Sequence, residues 1–216
     1  MTRDRYHARG SETEFEPLSR GRVLRNKLGI CRVFEMQAAE SQALESVQEW
    51  ALDHFDHNHR FTAKDLQRLH RQWLGGIYDW AGIYRGVNVS KGGFMFAASR
   101  QVPRLMVELE RKVLRKHTPC AGMSHDQLAK ALAHVHAELV LIHPFRDGNG
   151  RCARLLALLM ALQAGLPTLD FWSFAGRGKR RYFTAIQSAM AGDYAPLTAC
   201  FAKVIKRTCA AFEESA

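Results

Sequence analysis

Apolar positions along the chain recur mostly three and four residues apart, the spacing of helices that bury one face. Met36, Ala39, Ala43, Val47, Trp50 and Ala51 mark one such stripe, and Leu66, Leu69, Trp73 and Ile77 mark a second behind a Thr62 cap. A third starts near Ser99, carries Val102, Leu105, Met106, Leu109 and Val113, and ends before Pro119. Ser124 and Gln127 make a capping box ahead of Leu128, Leu132, Val135, Leu139 and Ile142, a stripe that stops at Pro144. Residues 151–164 are apolar around most of the helical circumference, which predicts a central buried helix closed by Gly165 and Pro167. Residues 182–190 and 197–212 supply two more amphipathic segments, parted by Gly192-Asp193 and Pro196. One stretch departs from this period. Val87 and Val89 alternate with polar residues, Lys91-Gly92-Gly93 turns, and Phe94 and Phe96 alternate again, so a single hairpin is expected there. A lone hairpin needs a helical surface beneath it, and its free edge invites another strand. The pattern predicts an all-α domain with one β-hairpin over residues 20–216, preceded by a polar tail over residues 1–19.

Composition narrows the picture. With 216 residues, 47% hydrophobic and 24% charged, the chain suits one domain. Its longest apolar run, residues 155–162, falls short of the roughly 20 residues a membrane-spanning helix needs, so a soluble cytoplasmic protein is expected. Five cysteines without C-x-x-C spacing suggest neither a disulfide framework nor a zinc knuckle. A formal charge of +10 favours an anionic partner: a nucleotide, a nucleic acid or an acidic protein. The basic residues are scattered without a nucleic-acid-binding fingerprint, so solvated positive faces are the simpler reading.

Candidate chemistry collects in the segment His143-Pro144-Phe145-Arg146-Asp147-Gly148-Asn149-Gly150-Arg151-Cys152-Ala153-Arg154, between the two clearest helices. Gly148 and Gly150 allow successive N–H groups to face one concavity at a helix start, which is built for phosphate. Arg151 and Arg154 lie in the first turn, where the dipole disfavours cations; gripping a polyphosphate offsets that misfit. Asp147 beside an anion nest implies an intervening Mg²⁺, held by a carboxylate and substrate phosphates. His143 is placed to take a proton from a hydroxyl, and Phe145 to anchor the loop in the core. His54, Asp56, His57 and His59 crowd the end of a helix, where histidine caps carbonyls more simply than it binds metal.

This string also resembles, at every fixed position, the Fic signature His-Pro-Phe-x-Asp/Glu-Gly-Asn-Gly-Arg-x-x-Arg. Asp79-Trp80-Ala81-Gly82 with Arg85, the hairpin, and Gly192-Asp193-Tyr194-Ala195-Pro196-Leu197 are similar to the family's flanking segments, so the resemblance spans about residues 60–200. It implies a Fic-type helical domain that moves AMP from ATP to a hydroxyl side chain of a target protein. His143 would be the general base and Asp147 the Mg²⁺ ligand. Asn149 with the Gly148 and Gly150 backbone would cradle the α and β phosphates, and Arg151 and Arg154 the β and γ phosphates. The hairpin resembles the family's flap, which aligns a target segment by strand addition; Val87, Val89, Lys91 and Phe94 are its contact candidates. Tyr182 is a candidate for the nucleobase, and Gly150 argues against the Doc-type phosphorylating variant, which carries lysine there. Many relatives are held off by a Ser/Thr-x-x-x-Glu-Gly/Asn helix whose glutamate meets the second motif arginine, here Arg154. The nearest string, Ser41 to Ser46 around Glu45, lacks the final Gly or Asn. The resemblance therefore implies the toxin of a toxin–antitoxin pair, restrained by a separate small protein. Phosphoryl or other nucleotide transfer on the same scaffold, and a noncatalytic nucleic-acid-binding protein, are the alternatives.

Overall fold

Local caps set the helix boundaries. The computed structural model describes residues 11–214. Helix α1 spans Val33–His54 and α2 spans Ala63–Leu74. Thr62 opens α2: its hydroxyl accepts from the Asp65 N–H while the Asp65 carboxylate accepts from the Thr62 N–H. Helix α3, Val102–Leu109, continues through a π turn into the short α4, Arg115–His117. Ser124 and Gln127 form the second reciprocal box and start α5, His125–Ile142. Helices α6, Asn149–Gln163, α7, Lys179–Ser188, and α8, Ala195–Glu213, follow.

Helix α6 is buried around nearly its whole length, with α5 along one side and α1 and α2 along another; α8 closes over α5. A helix without a polar face has to sit at the centre, and this one does. Among the described residues no helix is long and apolar enough to cross a membrane.

The hairpin is shorter than its alternating sequence suggests. Strands β1, Ser90–Lys91, and β2, Phe94–Met95, pair antiparallel with Lys91 opposite Phe94. Lys91 therefore belongs to a strand, and Gly92-Gly93 alone make the turn, both at positive φ as the tight hairpin turn requires. Beyond it the Phe96 N–H still donates to the Val89 carbonyl, and the Arg85 side chain takes the carbonyls of Val87 and Ala97.

The expected tail falls partly outside the described residues, at 1–10. Residues 11–19 lie against the domain: Phe15 bridges Leu24, Ser19 is buried with its hydroxyl donating to the Glu16 carbonyl, and the Glu12 carboxylate accepts from the Gly86 N–H. Polar side chains that read as solvated in the sequence here satisfy backbone groups of the fold.

Candidate active site

His143 terminates α5 in the left-handed region, at φ +53°. Its Nδ1 lies 3.0 Å from the Val140 carbonyl, which can only accept, so Nδ1 carries the proton and Nε2 keeps a lone pair. Phe96 of the hairpin stacks on the ring at 3.6 Å between centroids. Burial, foremost, lowers the imidazole pKa to about 4, aided by the nearby Arg85 charge. At neutral pH the ring is an oriented, uncharged proton acceptor.

Arg85 holds that histidine and the hairpin together. Its buried guanidinium donates to the His143 carbonyl at 2.6 Å, to Val87 and Ala97 at the two ends of the hairpin, and to Ile142. Its N–H donates to Pro144. The guanidinium's forked set of donors lets one side chain reach both hairpin ends and the end of α5.

The loop between α5 and α6 is fixed from below. Phe145 is fully buried and stacks on His70 at 3.9 Å. Because the Gly82 N–H donates to His70 Nδ1, the other nitrogen carries the proton and donates to the Asp147 carbonyl at 3.0 Å. His70 is thereby a neutral bridge between the Asp79-Trp80-Ala81-Gly82 segment and the loop. Gly148 stands at φ +80°, and a Cβ there would meet the Trp73 ring at 2.7 Å, so both conformation and packing demand glycine. The Asn149 side chain is spent inside the loop: Oδ1 accepts from the Phe145 N–H and Nδ2 donates to the Phe145 carbonyl, both at 2.8 Å. The amide thus braces the loop, and the Asn149 backbone lines the cleft.

The first ladder bond of α6 runs from Cys152 N–H to Gly148 carbonyl, so the N–H groups of Asn149, Gly150 and Arg151 open onto a cleft of about 450 Å³. Gly150 differs from Gly148. It is helical, and a Cβ there would have only an ordinary contact, 3.7 Å from Arg154. The backbone freedom expected at both glycines is used at one, while the other is an ordinary helical position on the cleft wall. A Gly150→Ala variant is therefore expected to keep or raise its thermal midpoint, since alanine favours a helix, while its affinity for ATP in a titration falls at least about tenfold. A destabilised variant with intact affinity would contradict this division of labour.

The same cleft brings together His143, Asp147, Arg151 and Arg154 with Lys91 and Phe96 from the hairpin, Tyr182 and Phe183 from α7, and Arg22 and Glu40 from the N-terminal side. Asp147 is exposed there, with Oδ1 accepting from the Gly148 N–H at 2.6 Å. Arg151 meets Glu40 Oε2 at 2.6 Å and covers the Trp73 ring, whereas Arg154 has no carboxylate within ion-pairing distance among the described residues. Glu45 is exposed on α1. Of the hairpin candidates, Val87 is buried and anchors, while Val89, Lys91 and Phe94 retain accessible surface. Tyr182 is 5% exposed; its hydroxyl meets His136 at 2.6 Å and its ring stacks on Phe174, so it gives the cleft a wall and has its polar end already engaged.

A helix start with open N–H groups, flanking arginines and a neutral histidine beside a hairpin define an anion-binding cleft with a proton acceptor at its edge. The Fic/DOC family model matches residues 60–161. The chain is 30% identical over 195 residues to the probable protein adenylyltransferase Fic of Salmonella typhimurium, covering 85% of this chain and 88% of that protein. It is 31% identical over 144 residues to the probable protein adenylyltransferase Fic of Escherichia coli, covering 65% and 68%. The effector BepC of Bartonella tribocorum, solved with bound AMPPNP, shares the fold with a TM-score of 0.70 at 24% identity, covering 92% of this chain and 98% of that one. The chain belongs to the Fic/DOC family.

Sequence reading alone missed His70, Trp73 and Glu40. Trp73 sits on a stripe that reads as core, and core it is, yet its ring floors the catalytic-type loop. A buried histidine or glutamate interrupting such a stripe was the available signal.

Proposed function

We propose that the chain is a Mg²⁺-dependent protein adenylyltransferase that transfers AMP from ATP to a hydroxyl of a target protein in the cytoplasm. The observation that carries this reading is the free Nε2 of a neutral His143 beside the open start of α6. The backbone N–H groups of α6 and Arg154 hold the phosphates, with Arg151 beside them. The target hydroxyl attacks the α phosphorus, His143 Nε2 takes its proton, and the bond to the β-phosphate oxygen breaks to release pyrophosphate. Asp147 suits Mg²⁺: one exposed carboxylate, with no cluster of three His, Cys, Asp or Glu to build a cage among the described residues, matches an ion held largely by substrate oxygens. When bound, the ion would neutralise charge developing between the α and β phosphates. The target segment lies along the hairpin edge, near Val89, Lys91 and Phe94, and Phe183 with Tyr182 walls the nucleobase side.

We also propose that a separate small protein restrains this activity by offering a glutamate to Arg154, which supports the toxin–antitoxin reading. Within the chain, Arg154 lacks a carboxylate among the described residues, and Glu45 is exposed on α1. Incubating the chain with a bacterial lysate, Mg²⁺ and ATP labelled at either the α or the γ position tests the chemistry. AMP transfer puts only the α label on protein; movement of the γ label would establish phosphorylation instead.

The pH profile follows from His143. Because its folded pKa is lowered to about 4, the base form prevails above that value and is lost only as pH falls through it. The kcat/KM for ATP is expected to stay level from pH 8 to about 5 and to decline below. A half-point near the ordinary histidine value of about 6.5 would contradict the half-buried, neutral base.

A further inference from the structure

Glu40 is a buried carboxylate in a cleft built for anions. We infer that it is a positioning residue, which holds Arg151 in place for the phosphates; this inference rests on the nucleotide-binding reading above.

The contacts form a closed frame. Glu40 Oε2 accepts from Arg151 Nη1 at 2.6 Å, and Oε1 accepts from the Tyr78 hydroxyl at 2.7 Å. The Glu40 carbonyl accepts from Trp73 Nε1 at 2.8 Å, and the Trp73 ring lies under the Arg151 guanidinium at 4.6 Å. Trp73 is also the surface on which Gly148 rests. One helix therefore ties an arginine of the motif to the indole that supports the motif's loop.

The physical need is plain. Arg151 and Arg154 are three residues apart on one helix face, in a first turn whose dipole disfavours cations. Without a ligand, both guanidiniums repel each other and the helix start. Glu40 relieves that for one of them, and its bond to Nη1 leaves the other donors of Arg151 without a side-chain partner among the described residues. The two arginines thus divide the work: Arg151 is preoriented, and Arg154 carries a charge that no carboxylate among the described residues pairs.

A brake would look different. A carboxylate that keeps phosphate out has to withdraw when phosphate enters. Glu40 is 6% exposed, on a helix packed against α2 and α6, with both oxygens and its carbonyl bonded. Moving it away would strand the Tyr78 hydroxyl and leave Arg151 without its partner.

The test is competitive titration of ATP and AMP against the wild-type chain and the Glu40→Gln and Tyr78→Phe variants, with thermal melting of each. Glutamine keeps the shape and the Tyr78 bond but turns an amide toward Arg151. Tyr78→Phe removes only the hydroxyl that orients the carboxylate, and it carries the test if Glu40→Gln does not fold. The expected result is a roughly tenfold loss of ATP affinity in Glu40→Gln, a smaller loss in Tyr78→Phe, and unchanged AMP affinity, because AMP lacks the phosphates Arg151 serves. A general structural defect would weaken both nucleotides alike and would overturn the inference, as would ATP affinity that rises, the mark of a brake. A wild-type chain that binds neither nucleotide would overturn the reading beneath it and this role together.

Discussion

Replacing His143 by alanine is expected to lower AMP transfer by about 10²–10⁴-fold while ATP binding and the melting temperature stay near those of the wild-type chain. The imidazole is bound through Nδ1 to one carbonyl and stacked on Phe96, and Nε2 has no other duty among the described residues. Removing it deletes the proton acceptor and leaves the anion nest, Asp147 and both arginines in place. The side of the cleft proposed to bind phosphate is built from α6 and the loop before it, so nucleotide affinity reports that the fold has survived. Transfer assays with α-labelled ATP beside a binding titration separate the two. A variant that loses both equally would mean that the ring braces the cleft and does no chemistry there.

Arg85→Ala is expected to be the more damaging substitution overall. It strands the carbonyls of Val87, Ala97 and His143, and a buried polar group left without its partner costs about 1–3 kcal/mol. The unfolding free energy should fall by roughly 3 kcal/mol or more, read by denaturant titration. Arg85→Lys isolates the functional part. It keeps the charge, yet one ammonium has no fork with which to reach both ends of the hairpin and the end of α5. That variant is expected to bind ATP and to transfer AMP poorly, because the hairpin segment that stacks on His143, and that is proposed to line up the target, has lost its clamp. Transfer at the wild-type rate in Arg85→Lys would show that the hairpin needs no such tie.

The helices were legible because their caps and stripes are local. Thr62, Ser124 and Pro144 each act on neighbours within a turn, and the circumferentially apolar residues of α6 leave only a central position for it. The motif was legible for the same reason: histidine, acid, glycines and arginines lie within twelve positions. What was hidden depends on contacts distant in sequence. Glu40 meets Arg151 across 111 positions and His70 meets the Asp147 carbonyl across 77, and no periodicity reports such a pairing. The bracing part of Asn149 is not legible in the sequence, because a side-chain amide beside an anion nest serves equally as ligand or brace. Its two bonds to Phe145 appear only in the folded loop. The segment at residues 11–19 has a solvated composition, yet Glu12 and Ser19 find backbone partners that appear only once the fold exists.

In the proposed reaction a neutral His143, beside an open helix start, takes the proton of a protein hydroxyl as that oxygen attacks the α phosphorus of ATP and pyrophosphate leaves. Mass spectrometry of the protein that gains α label, taken from lysate treated with the wild-type chain and with His143→Ala, tests it most directly. The account predicts an added AMP on a serine, threonine or tyrosine of that protein, absent with the variant. A phosphate in place of AMP, or an AMP adduct that forms equally without His143, would contradict it.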